Sequence, residues 1–523
     1  MRFALLKRWQ LKVPRIKSNT FSCSQRVYLW SEVLEDKYII RSKVQFTKFM
    51  YTKIKESHLR YFSSIVGDAH CSTAQETLQD YSHDETEDLK YVPEVVLFPR
   101  STEEVSAIMR YCSSERIVAT PVGAKTGLSG GMLTVYGGVA LSTSKLDRIE
   151  KIDTDNLQVI TQPGVIVEEL QRAVAEVGLL YAPDPASRGT CFIGGNLAEN
   201  SGGPRAVKYG VTKDWVLNLE VVLPSGEVIQ TGANTLKNST GYNLTQLFVG
   251  SEGTLGIITK ATLKLMPQPA QQLLMLVSFS SAEKACQTVA AIFKAGVVPS
   301  AMEFMERDAI ALAMDFTGER PIELADDTAA QLLIEVDGNA SSDLMKECEL
   351  IMKVCEHLGA GEILFAEDEA QKEKLWFLRR CVGEAVKAKS IYKEEDTVVP
   401  RFRLPELLMG IKRIGSAYGF NSVCYGHAGD GNLHVNILKE KLDENAWNEM
   451  LPKAIREIFE LTVSLEGTLS GEHGIGLVQK EYMDVVFSKQ SLDFMWQLKQ
   501  VFDPHLLLNP GKVFPSHYWK GKG

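Results

Sequence analysis

Residues 121–131 read PVGAKTGLSGG: four glycines, a threonine and a serine behind a short apolar run. Two more segments share that character, GGNLAENSGG at 194–203 and GSEGTLG at 250–256. Glycine lets backbone N–H groups converge on an anion, because no Cβ intervenes and positive φ is permitted. One such loop is more often a simple turn. Three in one region, with Thr126, Ser129, Asn196 and Asn200 as side-chain donors, suit a pyrophosphate and a ribityl chain. No GxGxxG follows a strand, so a Rossmann dinucleotide site is unsupported. GAKT at 123–126 lacks the spaced upstream glycine of a P-loop.

Outward from these loops the pattern is mixed α/β. Residues 95–99 read as a buried strand, and Ser101-Thr-Glu-Glu104 as a capping box opening a helix to about 114. Strands are expected at 117–121, 139–142 and 158–162, an amphipathic helix at 167–177, and a hairpin over 219–231 around Pro224-Ser-Gly226. After Pro267-Gln-Pro269 the rhythm changes. Strands at 273–279, 301–304, 332–336 and 362–365 alternate with helices at 282–295, 307–314, 344–358 and 371–388. That alternation predicts a second domain, a ferredoxin-like sheet with helices on one face. A helix at 492–502, then Asp503-Pro504 and a turn at 508–511, suggest a tail returning to the first domain.

A chain of 523 residues with 45% apolar and 24% charged side chains is an ordinary globular composition of two or three domains. Residues 1–49 hold 11 Lys/Arg against 3 Asp/Glu, and the remainder 46 against 63. So acidic a body repels phosphate backbones, and no nucleic-acid partner is expected. The first 30 residues are acid-free, with Arg2, Lys7, Arg8, Lys12, Arg15 and Lys17. They read either as a mitochondrial transit segment or as an extension ahead of a start at Met50. A cytoplasmic location is expected, with the mitochondrial matrix as the alternative. No run of about 18 apolar residues occurs, so no transmembrane segment is expected, though a peripheral membrane contact stays open. The nine cysteines form no C-x-x-C pair, which disfavours an iron–sulfur cluster or a thiolate zinc site.

VCYGHAGDGNLHVNIL at 423–438 places two apolar strands around an AGDG turn. Leu433, Val435 and Ile437 alternate with His434 and Asn436, so the polar pair shares a face opposite the apolar one. His427 can approach His434 across the hairpin, and Glu472 and His473 sit between glycines in LSGEHGIG at 469–476. Two imidazoles and a carboxylate with open positions suit a divalent ion such as zinc or manganese. The HExxH pattern of a metalloprotease is absent.

Together, PVGAKTGLSGG, GGNLAENSGGPRAVKYG (194–210), NLEVVLPSGE (218–227) and LFVGSEGTLGIIT (247–259) resemble the FAD domain of the vanillyl-alcohol-oxidase type. With GHAGDGNLH (426–434) and SGEHGIG (470–476), the chain resembles the FAD-binding 2-hydroxy acid dehydrogenases, acting on D-lactate, glycolate or D-2-hydroxyglutarate, from about residue 91 to 514. The resemblance implies an α+β protein. Its parts would be a basic extension at 1–49, an FAD-binding domain at 50–269, a substrate (cap) domain with the metal site at 270–490, and a returning segment at 491–523. It implies that Pro121, Gly123, Ala124, Lys125, Thr126, Gly127, Gly194, Gly195, Asn196, Asn200, Gly202 and Gly203 hold the FAD phosphates. Tyr209, Gly210, Glu252, Gly256 and Ile258 would line the rest of the cofactor. His427, His434 and Glu472 would be metal ligands, Asn436 would touch substrate, His473 would be the base, and Arg379 would bind the substrate carboxylate. The activity implied is oxidation of a D-2-hydroxy acid to its 2-oxo acid. The electrons would pass to a quinone, a cytochrome or an electron-transfer protein.

No histidine falls between residues 84 and 356, so a histidyl link to FAD from the glycine loops is excluded and non-covalent FAD is expected. Two positions depart from the D-2-hydroxyglutarate enzymes. Gly383 stands where they carry a hydroxyl residue four positions after the arginine, and their far-carboxylate lysine has no counterpart, Lys393 being one place off relative to Asp396. Lactate, glycolate or a longer hydroxy acid stay open. The rival reading is a flavin transferase without net redox, resembling alkyl-glycerone-phosphate synthase; the histidine-rich run of that enzyme is missing here.

Overall fold

The computed structural model describes residues 51–86 and 89–519; the basic stretch 1–49, with both its readings, lies outside the described residues. Ser101 caps the helix Thr102–Glu115 by accepting a hydrogen bond from the Glu104 amide at 3.3 Å. Val105, Ile108, Met109 and Cys112 on that helix pack into the core over a small sheet. The sheet runs Cys71–Ser72, Val95–Leu97, Val139–Ser142, Ala119–Val122, the last three parallel. A second, antiparallel sheet runs Ile149–Asp153, Gln158–Thr161, Ile257–Lys264, Val216–Val222, Val228–Gln230. The first glycine segment leaves the strand Ala119–Val122, the second opens the helix Ile193–Glu199, the third leads into Ile257–Lys264, and all three line one cleft.

The helix Lys489–Phe502 is capped by Ser488, and the chain then runs back into the first lobe. Leu508 bridges Ala119, and the Asn509 amide donates to the carbonyls of Gly131 and Glu252, both at 2.9 Å. Two fully buried lysines anchor the tail. Lys499 donates to Asp503 at 2.6 Å and to the carbonyl of Thr254 at 2.7 Å, and Lys512 donates to the carbonyl of Leu133 at 2.6 Å.

The second lobe is built on one antiparallel sheet of seven strands. Their order is Ala360–Phe365, Gln271–Phe279, Ala330–Gly338, Ala301–Glu306, Asn421–Gly426, Asn432–Leu438, Tyr392–Val398. Helices cover both faces, where one covered face was expected. Ala282–Lys294, Ser341–His357, Leu404–Tyr418 and Leu451–Ser464 bury one face, and Arg307–Thr317, Glu369–Arg380 and Val382–Lys389 the other. The reason is visible in Ala330–Gly338, whose side chains are buried on both sides down to Asp337. The single helix expected over 371–388 breaks at Cys381 into two. The second helical layer packs on Val423, Tyr425 and Leu438 of the hairpin 421–438 and leaves a polar strip with His427 and His434 uncovered beside the glycine segments. Among the described residues no helix is long and apolar enough to cross a membrane.

Candidate active site

A cleft of about 490 Å³ opens between the glycine loops and that uncovered strip. Its floor includes Pro121, Gly123, Ala124, Lys125, Thr126 and Gly127, then Gly194, Gly195 and Asn196, then Glu252, Gly256 and Ile258. At Gly127 and Gly195 a Cβ would meet no protein atom within 4 Å, and neither backbone needs positive φ. Their bareness therefore serves neither packing nor conformation; it keeps the floor open to a ligand. Asn196 Nδ2, on a residue lining the cleft, is buried with no protein partner. A polar group so placed is costly unless a ligand satisfies it. Both observations fit a bound FAD.

Not every residue expected there lines the cleft. Asn200 ends the helix Ile193–Glu199 in the left-handed region, and its Oδ1 accepts from the Lys213 amide at 2.9 Å. Gly203 has φ +115°, and a Cβ there would stand 2.3 Å from the Asp184 carbonyl, so backbone and space both demand glycine. Tyr209 donates its hydroxyl to Asp337 at 2.6 Å and with Lys208 ties the two lobes together. Gly210 packs against Asp214, and Gly202 against the Glu472 carboxylate.

On the opposite wall, strand pairing fixes the chemistry. Tyr425 and Asp396 flank His434 on its two neighbouring strands, and Glu394 faces Asn436. Two-residue alternation puts His434, Asn436, Glu394 and Asp396 on the cleft face, while Leu433, Val435 and Ile437 join the core behind. Lys393 falls on the opposite side of its strand from Glu394. The tight turn between the hairpin strands needs Gly431, at φ +80°, where a Cβ would collide with the Val399 carbonyl.

His427 is held on both sides. Its Nδ1 lies 2.9 Å from both Glu303 oxygens and its Nε2 3.1 Å from Glu472 Oε1. With both ring N–H groups donating, His427 bridges Glu303 and Glu472, and a divalent cation held here would replace the Nε2 proton and take its lone pair. His434 Nε2 is 3.6 Å from the same oxygen, and the ligand atoms of His427, His434 and Glu472 all lie within 4.8 Å of one another. A second trio of this kind, Glu394, His434 and His473, shares His434.

The electrostatics agree. Burial would raise the Glu303 carboxyl, but His427 and Arg379 outweigh it and hold it below the usual range. Burial would lower His427, yet Glu303 and Glu472 push it up to about 10. His434, buried beside His473 and His427, is pushed down to about 3, the behaviour of a neutral imidazole with a free lone pair. Burial opposes charge on His473 too, but Asp396 and Glu394 outweigh it and raise its pKa. The His473 ring stacks on His434 at 5.1 Å.

Asp396 Oδ2 organises the loop carrying Glu472 and His473. It accepts hydrogen bonds from Ser470 Oγ and the amides of Gly471, Glu472 and His473 at 2.7–2.9 Å. From the other lobe Glu252 accepts from the amides of Ile475 and Gly476, at 2.9 and 2.6 Å. Arg379, 5% exposed, contacts Glu303 at 2.6 Å, lies 4.9 Å from the centre of the Tyr425 ring, and keeps a buried Nε with no acceptor. Glu303, Glu394 and Asp396 were not singled out as site residues from sequence. The available signal was an acid inside an apolar strand, as in AMEFME at 301–306.

Residues 93–232 match the family described as FAD binding domain, and 268–513 the C-terminal domain of FAD linked oxidases. The glycolate oxidase subunit GlcD of Bacillus subtilis is 39% identical over 83% of this chain and 92% of its own length. This chain belongs to the family of FAD-linked 2-hydroxy acid dehydrogenases. A second member, the D-lactate dehydrogenase of Anaerostipes hadrus, is 36% identical over 89% of the chain and 99% of that protein. For this dehydrogenase the fold is shared more widely. A p-cresol methylhydroxylase structure superposes with TM-score 0.74 at 16% identity, over 90% of this chain and 99% of that one. The fold of this FAD-linked dehydrogenase is thus α+β of the vanillyl-alcohol-oxidase type.

Proposed function

We propose that this dehydrogenase oxidises a D-2-hydroxy acid of the lactate and glycolate class to its 2-oxo acid, assisted by a divalent ion, zinc or manganese. The observation that carries the reading is the cluster of His427, His434 and Glu472, with ligand atoms within 4.8 Å of one another, in the same cleft as the unsatisfied Nε of Arg379. FAD, which the loop at 121–131 and the first turn of the helix Ile193–Glu199 would hold non-covalently, would supply the two-electron acceptor. A cation held by His427, His434 and Glu472 supplies positive charge for the ionising hydroxyl. The protein does the rest. Arg379 takes the substrate carboxylate in a charge-assisted pair and fixes C2 with respect to the cleft floor. A ring nitrogen of His473 receives the hydroxyl proton, and Asp396 and Glu394 stabilise the imidazolium that results. The reduced enzyme then passes its electrons to a separate acceptor, of quinone, cytochrome or electron-transfer-protein type.

The test is anaerobic addition of a panel of D- and L-2-hydroxy acids to the holoenzyme. The D series should bleach the oxidised flavin band and yield one 2-oxo acid per flavin. A flavin left oxidised by every member would favour a non-redox transferase instead.

A further inference from the structure

We infer that Glu394 sets which 2-hydroxy acid this cleft accepts, favouring a hydrogen-bond donor on C3 and excluding a second carboxylate. The inference rests on the proposed function and specifies its substrate. Four Lys or Arg side chains line the cleft among the described residues: Lys125, Arg379, Arg380 and Lys387. Each already has a carboxylate beside it. Lys125 is 2.6 Å from Asp80, Arg379 2.6 Å from Glu303, and Arg380 3.4 Å from Asp184, while Lys387 contacts Glu85. Of the four, Arg379 is the one with a buried donor left unsatisfied. The cleft therefore has a berth for one substrate carboxylate.

Beyond that berth the wall carries acceptors. Glu394 lines the cleft with its side chain 12% exposed and 3.5 Å from His434 Nδ1. Across the strand pair stands Asn436, fully buried, with its amide oxygen and amide nitrogen both without a protein partner. A carboxylate on C3 or C4 of the substrate would meet the Glu394 carboxylate, while the lining Lys and Arg side chains are already paired. A hydroxyl there would donate its one hydrogen to Glu394 and accept from the Asn436 amide nitrogen, and sites built to hydrogen-bond a substrate group discriminate strongly for it. The departure at Gly383 fits. A Cβ at 383 would approach the Tyr425 hydroxyl to 3.2 Å, so its absence leaves room at this end of the cleft.

The experiment compares wild-type holoenzyme with Glu394→Gln and Glu394→Lys. It reads kcat/KM for D-lactate, D-glycerate and D-malate, together with metal content. In parallel, flavin absorbance changes report binding of pyruvate, hydroxypyruvate and oxaloacetate without turnover. Wild type should prefer the C3-hydroxyl member of each set and reject the dicarboxylate. Glu394→Lys should raise the malate-to-lactate ratio by ~10-fold or more, the effect of replacing a like charge by an opposite one. Glu394→Gln should move it in the same direction by less, with metal content unchanged. Unaltered ratios in both variants would overturn the inference. So would an equal loss on every substrate accompanied by metal loss, which would make Glu394 a ligand of the second trio. If wild type oxidised none of the hydroxy acids, the proposed function would fail, and the order of oxo-acid binding would still decide the role of Glu394.

Discussion

At His427 and His473 the same side chain is given opposite tasks by its neighbours. Glu303 orients His427 and turns its second nitrogen to Glu472, whereas His473 meets Asp396 and Glu394, which favour a captured proton. Replacing His473 with Asn should keep FAD and metal while slowing flavin reduction by at least ~10²-fold, the scale of a positioned general base. Glu472→Gln should instead lower metal occupancy. Anaerobic stopped-flow reads the first and metal analysis the second; a His473→Asn enzyme reducing at the parent rate would remove the base from the account. A quieter residue is Lys512. Burial, with Lys480 nearby, pushes its amine down to about 7. Between pH 7 and the ordinary lysine value of about 10.4 the unfolded chain therefore binds one more proton than the folded one. Stability on this account rises with pH across that window and is lost as pH falls toward 7. The apparent Tm should climb by a few degrees between pH 7 and 9 and climb less in Lys512→Met, a comparison that differential scanning calorimetry makes. His427, His434, Glu472, His473 and Arg379 were legible in sequence and come together in the cleft. Asp396 and Glu303 were not, because their partners lie 74–77 and 124 residues away and leave no local trace.

Among elements, the hairpin 421–438 was the most legible, since alternation and an AGDG turn fix both face and register. The strand Tyr392–Val398 escaped notice because YKEEDTV looks like a solvated charge run. Its acids are buried instead, Glu394 and Asp396 in the site and Glu395 accepting a hydrogen bond from Gln479. The break at Cys381 was equally hidden, since no proline or glycine stands at it. The glycine loops are a further case. Their character pointed to a ligand, but character alone did not separate Gly127 and Gly195, which leave open floor, from Gly203, which relieves a backbone collision. With no histidine from 84 to 356 to attach it, FAD on these loops should be released intact by acid precipitation. Yellow colour remaining in the pellet would contradict non-covalent binding.

For the whole molecule, the two lobes divide the work and meet through paired charges. Lys208 with Asp337, Arg205 with Glu335, and Glu252 with the amides of Ile475 and Gly476 hold the wall of the cleft over its floor. The cation ligands lie in the second lobe and the floor in the first. Chelation should therefore abolish turnover and leave FAD bound, as absorbance of the dialysed protein would show; full activity in a metal-free sample would remove the cation from the account. The one-berth cleft also explains why a broad family resemblance stopped short of a substrate: cations already paired with carboxylates are invisible until the fold pairs them. The central claim is that hydrogen leaves C2 of a D-2-hydroxy acid for the flavin within this cleft. Its most direct test is a single anaerobic turnover of the holoenzyme with D-lactate carrying hydrogen or deuterium at C2. The account predicts complete flavin bleaching, slower with deuterium; bleaching at one rate with both, or none at all, would contradict it.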